Sequence, residues 1–174
     1  VQPRPDERLL MAVSLEIGVN ELGVAQVKLE RLARRAADTH PLMDAIGAAM
    51  ESSTRLRFRN EAGPGGQRWK PSLRARHEGG QTLTESRALR DSITHEASRD
   101  TARVGTNVIY GGVHQFGATI RAKGGYNGNG HLRFSIPGLG FRSPLEVVIP
   151  ARPFLGVDQD DRDTIEELVD GYLM

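Results

Sequence analysis

Cysteine is absent from the 174 residues. That excludes disulfides, thiol catalysis and thiolate-held zinc, and it fits a reducing compartment. Aromatic residues are thin at 5%, with a single Trp. No aliphatic run approaches the ~20 residues that span a bilayer, and the opening stretch VQPRPDERLL has no apolar centre of a secretory signal. Net charge is close to missing at +1, which removes the bulk electrostatic reason to expect nucleic acid or an anionic membrane. What is present is ordinary for a globular protein: 38% hydrophobic and 26% charged residues, in a length that suits one domain. Residues 1–10 read as a tail and residues 11–174 as that single domain.

The charge that exists is unevenly spread. Between Arg55 and Arg76 stand six Arg and one Lys against Glu61, and between Asp158 and Asp170 five Asp and two Glu against Arg162. Each is either a solvated face or half of a contact between the two patches, within a subunit or across a boundary. The candidate subunit-contact charges are Arg55, Arg57, Arg59, Arg68, Lys70, Arg74 and Arg76 on one side. On the other are Asp158, Asp160, Asp161, Asp163, Glu166 and Glu167.

Apolar periodicity orders the elements. Residues 12–19 alternate as a half-buried strand. After Asn20, Leu22, Ala25, Leu29, Leu32 and Ala36 form a helical stripe with Arg31, Arg34 and Arg35 outside. The DTHP break precedes a second helix with Leu42, Ala45, Ile46, Ala49, Met50, Ser53 and Leu56 on one face, so an αα-hairpin packed on a sheet is expected. Residues 60–81 read as a long Gly- and Pro-rich loop. Thr82 and Glu85 have capping-box spacing before a short helix ending near Arg90. SITHEAS and TARVGTN read as two strands turning at Arg99–Asp100. Residues 118–137 read as a hairpin extension, with its tip at 124–130 and HLRFSI as the return strand. LEVVIP is a further strand, and Asp158–Tyr172 a final helix bearing Ile165, Leu168, Val169 and Tyr172. The order predicts an α+β fold with a mainly antiparallel sheet, the αα-hairpin and a C-terminal helix.

Chemistry is hard to find. The glycines at 124–130 lack the Lys-Ser/Thr of a phosphate loop. Of the five His, no two have helical metal-pair spacing. No Ser sits in Gly-x-Ser-x-Gly, and the carboxylates Asp160, Asp161, Glu166 and Glu167 suit a helix start. No catalytic, metal or cofactor residue is assigned. The basic stretch around Trp69 is the one argument for a small nucleic-acid-binding protein, and an enzyme with a scattered site is the other class to weigh.

Four segments then read together: PGGQRWKPSL (Pro64–Leu73), LRDSI (Leu89–Ile93), YGGVHQFGATI (Tyr110–Ile120) and IPARPFLGV (Ile149–Val157), followed by an acidic helix ending in DGYLM. In that order, over residues 13–173, they resemble the phage virion morphogenesis family, the Mu-like tail completion proteins. His-Gln-Phe-Gly followed by Ala-Arg-Pro-Phe-Leu-Gly is specific as a pair. The chain departs from the pattern where Ser86 and Arg87 stand in place of a frequent Thr-Gly, and in the long Gly-rich insertion between Phe116 and Arg152.

The resemblance implies a tail-terminator-like structural protein of the phage neck or tail end, without catalysis. It implies assembly with itself as a ring, a hexamer, and with the tail-tube protein and neck or head–tail connector proteins. DNA in the channel would be a passing contact, and the location is the virion after synthesis in the host cytoplasm. A head-closure adaptor nearer the portal is the alternative. The motif residues expected to act structurally or at an interface are Trp69, His114, Gln115, Phe116, Gly117, Arg152, Pro153, Phe154, Leu155 and Gly156. Trp69 is expected to fold back on the core or lie at a ring contact. Val113 and Phe116 are expected to anchor a turn in the core, with Phe116→Ala costing about 3–5 kcal/mol. His114 and Gln115 are expected to satisfy backbone groups or reach a neighbouring subunit.

Overall fold

Pro41 starts helix α1 (His40–Asn60) in its first turn, where a missing N–H costs nothing. Glu61 ends it by turning left-handed at φ 50°, and the Ala62 N–H closes on the Arg57 carbonyl at 3.1 Å. The computed structural model describes residues 27, 30, 32–123, 130–136 and 140–174. The expected N-terminal tail, the strand over 12–19, most of the first helix and the hairpin tip at 124–129 lie outside the described residues.

Residues 32–37 are helical, and residues 38–39 make the expected break. Two expectations for this helix fail. Leu32 and Ala36 are exposed, whereas Arg35, placed on the outer face, is half-buried. Its Nη1 donates to the Tyr172 carbonyl at 2.7 Å, and the Tyr172 hydroxyl bonds back to the carbonyls of Arg35 and Asp38. On α1 the buried side is Leu42, Ile46, Gly47, Thr54, Arg57 and Phe58, while Leu56 is 48% exposed. The expected stripe drifts off this face at its C-terminal end, because a long Arg reads as surface and a Leu as core.

Residues 60–81, expected as a loop, are built. A short 3₁₀ turn (Pro64–Gly66) and a bridge between Ala62 and Arg68 fold the chain back sharply, with Gly65 and Gly66 both at φ 79°. Helix α2 (Leu73–Glu78) follows, capped by the Ser72 hydroxyl on the Ala75 N–H. The predicted capping box at Thr82 and Glu85 does not form. Thr82 is fully buried, donates its N–H to Glu61 and accepts from the Ser72 N–H, while Glu85 pairs with Arg74. Helix α3 (Ala88–Asp91) instead starts at Arg87, held left-handed at φ 60°.

Strands β1 (Thr94–Ala97) and β2 (Ala102–Gly105) form an antiparallel hairpin, closed by the Ser98 N–H on the Thr101 carbonyl at 2.8 Å. The turn at Arg99–Asp100 is as expected. Helix α4 (Gly111–Phe116) leads to β3 (Ala118–Arg121). Pairing then departs from the expected 118–137 hairpin. β3 pairs with β6 (Glu146–Ile149), and β4 (Phe134–Ile136) pairs with β5 (Gly140–Arg142) between them. Bonds from Ala122 N to Leu145 O and from Leu132 N to Pro144 O carry the outer pairing toward the inner one. The arm thus runs from 118 to 149.

Helix α5 (Gln159–Leu173) closes the chain. Asp158 caps it with a full capping box, its carboxylate on the Asp161 N–H and that of Asp161 on the Asp158 N–H. The fold is α+β with antiparallel strands, arranged among the described residues as three two-stranded ladders. The β1–β2 ladder and α5 both pack on α1. The core is Phe58, Trp69, Leu89, Ile93 and Phe154, with Leu83, Val104, Val108 and Leu155 against it.

Candidate assembly interface

The four motif segments meet beneath the C-terminal end of α1. The 62–68 fold-back returns Trp69 under the helix, where its ring stands edge-on to Phe58 at 5.4 Å. Trp69 is 6% exposed, and its indole N–H donates to the Pro153 carbonyl at 2.9 Å. Phe154 packs on the other side of Phe58 at 5.2 Å between centroids. Of the two expectations for Trp69, the core one holds. Base stacking is closed to a ring so placed.

Gln115, on α4, clamps the 154–155 segment. Its Oε1 accepts from the N–H groups of Phe154 and Leu155, both at 3.0 Å, and its Nε2 donates to the Leu155 carbonyl at 2.9 Å. One primary amide therefore meets three backbone groups that no strand satisfies. The Arg152 N–H adds a bond to the His114 carbonyl at 2.7 Å, and the buried Arg152 side chain donates from Nε to the Lys70 carbonyl. Gly117 permits this approach. Its φ is 75°, and a Cβ there would stand 2.9 Å from the Ala151 nitrogen. Gly156 is equally confined, since a Cβ would meet Pro64 at 2.5 Å.

Arg57 completes the knot. Its Nη1 donates to the carbonyls of Phe154 (3.0 Å) and Gly156 (2.8 Å), and its Nη2 meets Asp158 at 3.1 Å and the Asp161 carboxylate. Ser53 bonds Asp161 as well, at 2.5 Å. Burial alone would raise the Asp158 pKa, but N–H donors from Asp161 and Gly65 and the Arg57 charge hold it below the ordinary value. Arg57, Asp158 and Asp161, expected among the subunit-contact charges, are thus spent within the chain. A signal existed: Arg57 lies about three helical turns after buried Ile46, on the same side of α1.

Other motif residues face outward. Phe116, expected in the core, is 81% exposed, and Ile109 just before α4 is 98% exposed. The one-residue step from Gln115 turns Phe116 by about 100°, so the helix that clamps inward with its amide presents a ring to solvent. Nothing in the sequence marks Ile109 as exposed. His114 is half-buried, and its Nδ1 is enclosed without a partner, contrary to the backbone-satisfying role expected of it. Burial, helped by nearby Arg152, lowers its pKa and so favours the neutral imidazole. Pro153 is exposed and Leu155 half-buried.

The remaining candidate charges stay at the surface: Arg59, Arg68, Lys70 and Arg76 on the basic side, Asp160, Asp163, Glu166 and Glu167 on the acidic side. Arg55 is exposed but holds Glu51 and the Ile93 carbonyl, and Arg74 holds Glu85. Among the described residues no group of His, Asp and Glu is arranged to hold a metal ion, and no helix is long and apolar enough to cross a membrane.

Known proteins similar to this chain come from a phage and a prophage. The chain is 36% identical over 159 residues to Mu-like prophage FluMu G protein 2 of Haemophilus influenzae, covering 91% of this chain and 96% of that one. It is 26% identical over 168 residues to the putative capsid assembly protein G of Escherichia phage Mu, covering 91% and 94%. No solved structure matches it. The pattern of one protein family fits residues 21–174, including all four segments knotted around Phe58. The chain belongs to the phage virion morphogenesis family.

Proposed function

We propose that this structural protein of phage morphogenesis is a ring-forming component of the neck or tail end. It completes the tail and takes part in joining it to the head. The observation that carries this is the use made of the motif residues. Trp69, Gln115, Arg152, Phe154 and Gly156 are consumed in holding loops to one another and to α1, while Phe116 and Ile109 beside them face outward. Residues arranged this way fix the shape of a surface, and an exposed large ring on a rigid element suits an interface. The partners that follow are further copies of the chain, the tail-tube protein and the connector proteins.

A head-closure adaptor is the second reading, favoured by the capsid-assembly name given to the phage Mu relative. Tails purified from a phage that makes no heads, and heads from one that makes no tails, separate the two. A tail-end protein is found by mass spectrometry on the isolated tails, and a map of those tails shows it as a closed ring at the tube end. Recovery on heads alone assigns it to head closure. The nucleic-acid reading has lost its aromatic, since Trp69 is buried.

A further inference from the structure

Helix α5 has two faces with opposite tasks. Ile165, Leu168, Val169 and Tyr172 are half-buried on the side that packs on α1. Opposite them Asp160, Asp163, Glu167 and Asp170 recur at steps of three and four, and all four are exposed. Like charges at these steps repel. Asp170 also stands near the helix C-terminus, in a last turn that holds no basic residue to offset the dipole. Among the described residues none of the four has an ion-pair partner. The stripe therefore disfavours its own helix in the isolated chain, and a cationic partner would relieve it.

A basic groove lies elsewhere on the same molecule. Ser52, Arg55, Leu56 and Arg59 line α1 at the i, i+3, i+4 and i+7 positions, and Arg90 and Asp91 of α3 form the other wall. The groove is open, about 630 Å³ in volume, with Leu56 48% exposed in it. Arg55 holds Glu51 and Arg90 holds Asp91, while Arg59 has no ion pair among the described residues. Arg57 points to α5, and Arg55 and Arg59 lie two residues away on either side, about 200° round the helix. Asp160 shares a neighbouring depression with Leu56. Asp163, Glu167 and Asp170 line no part of the groove, and among the described residues no ion pair joins the stripe to it within the chain.

We propose that this groove receives the acidic face of α5 from a second copy. Donor and acceptor surfaces are different and lie on different sides of α1, which is the condition for head-to-tail contacts that close a ring. The proposal deepens the ring assignment above and rests on it.

Two variants of the full chain test it, at exposed side chains except Arg90, which is half-buried. In one, Asp163→Lys, Glu167→Lys and Asp170→Lys make the stripe basic; in the other, Arg59→Glu and Arg90→Glu make the groove acidic. Thermal melts check that each is folded, and sedimentation at low salt reads association. The wild type is expected to self-associate, less so as salt shortens the screening length, and each variant alone to associate about tenfold or more weakly. An equimolar mixture of the two is expected to recover wild-type association, because each basic stripe then meets an acidic groove.

A mixture as dissociated as its components, or single variants that associate normally, overturns this contact and leaves the ring standing on another surface. A wild type that stays monomeric overturns both. If the groove variant loses retention on duplex DNA while associating normally, the groove serves nucleic acid and the proposal fails.

Discussion

Gln115 and Phe116 are neighbours with opposite stakes. Truncating Gln115 to Ala strands two buried N–H groups and a carbonyl, and is expected to cost about 2–4 kcal/mol in urea unfolding. Phe116→Ala, on an 81% exposed ring, is expected to stay within about 0.5 kcal/mol. A loss of several kcal/mol at Phe116 would return that ring to the core. Arg87 offers a gain instead. Its φ of 60° is a conformation that glycine adopts freely and other residues adopt at a cost of about 1–2 kcal/mol. The resemblance leads to the expectation of Gly at this place, and the left-handed turn into α3 is a conformation that Gly would suit. Arg87→Gly is expected to raise stability by about 1 kcal/mol, read as a higher melting temperature.

Between elements, the β1–β2 hairpin is held to α1 by a titrating clamp. His95 on β1 places Nδ1 2.7 Å from Glu51 and Nε2 3.3 Å from Asp44, both on α1. The ring lies so close to the helix that a Cβ on Gly47 would stand 2.7 Å from it. The hydrogen bond to Glu51 raises the His95 pKa above its ordinary 6.5, against the opposing effect of burial and with help from Asp44. The same hydrogen bond lowers the Glu51 pKa below 4.5. A raised imidazole contributes stability that is fully present below pH 6.5 and lost as pH rises through its folded value. A lowered carboxylate contributes above its ordinary range and is lost on acidification. Unfolding free energy measured across a pH series is therefore expected to fall on the alkaline side of 6.5. His95→Gln should flatten that limb and also shrink the part of the acid limb that Glu51 supplies; an unchanged alkaline limb would mean another group controls it.

At the scale of the whole molecule, what was legible in the sequence is what periodicity reports. The α+β class, the α1 and α5 helices and the β1–β2 turn all follow from local spacing. Pairing partners do not, because alternation fixes which face a strand residue takes but not the strand it meets. That is why alternation places the arm at 118–137, whereas β3 reaches past β4 and β5 to β6. Residue type misled in two places. Arg57 reads as surface yet is buried because two carboxylates and two carbonyls, supplied about a hundred residues later, satisfy it. Phe116 reads as core yet faces solvent on a helix whose inward position is already taken by Gln115.

The pairing of Arg57 with Asp158 and Asp161 also sets an order of events during synthesis. Until the ribosome has delivered the last segment, the guanidinium has no anion, Trp69 has no Pro153 carbonyl and Phe58 lacks one of its two ring neighbours. Domains settle as units once their residues have emerged, so this one cannot consolidate its core before Phe154 and Leu155 have emerged, nor pair Arg57 before α5 begins. The helix that pairs Arg57 is also the one that bears the outward acidic stripe. Under the proposed contact, a copy cut short before Asp158 would lack the anions of Arg57 and the stripe together, and could not enter the assembly.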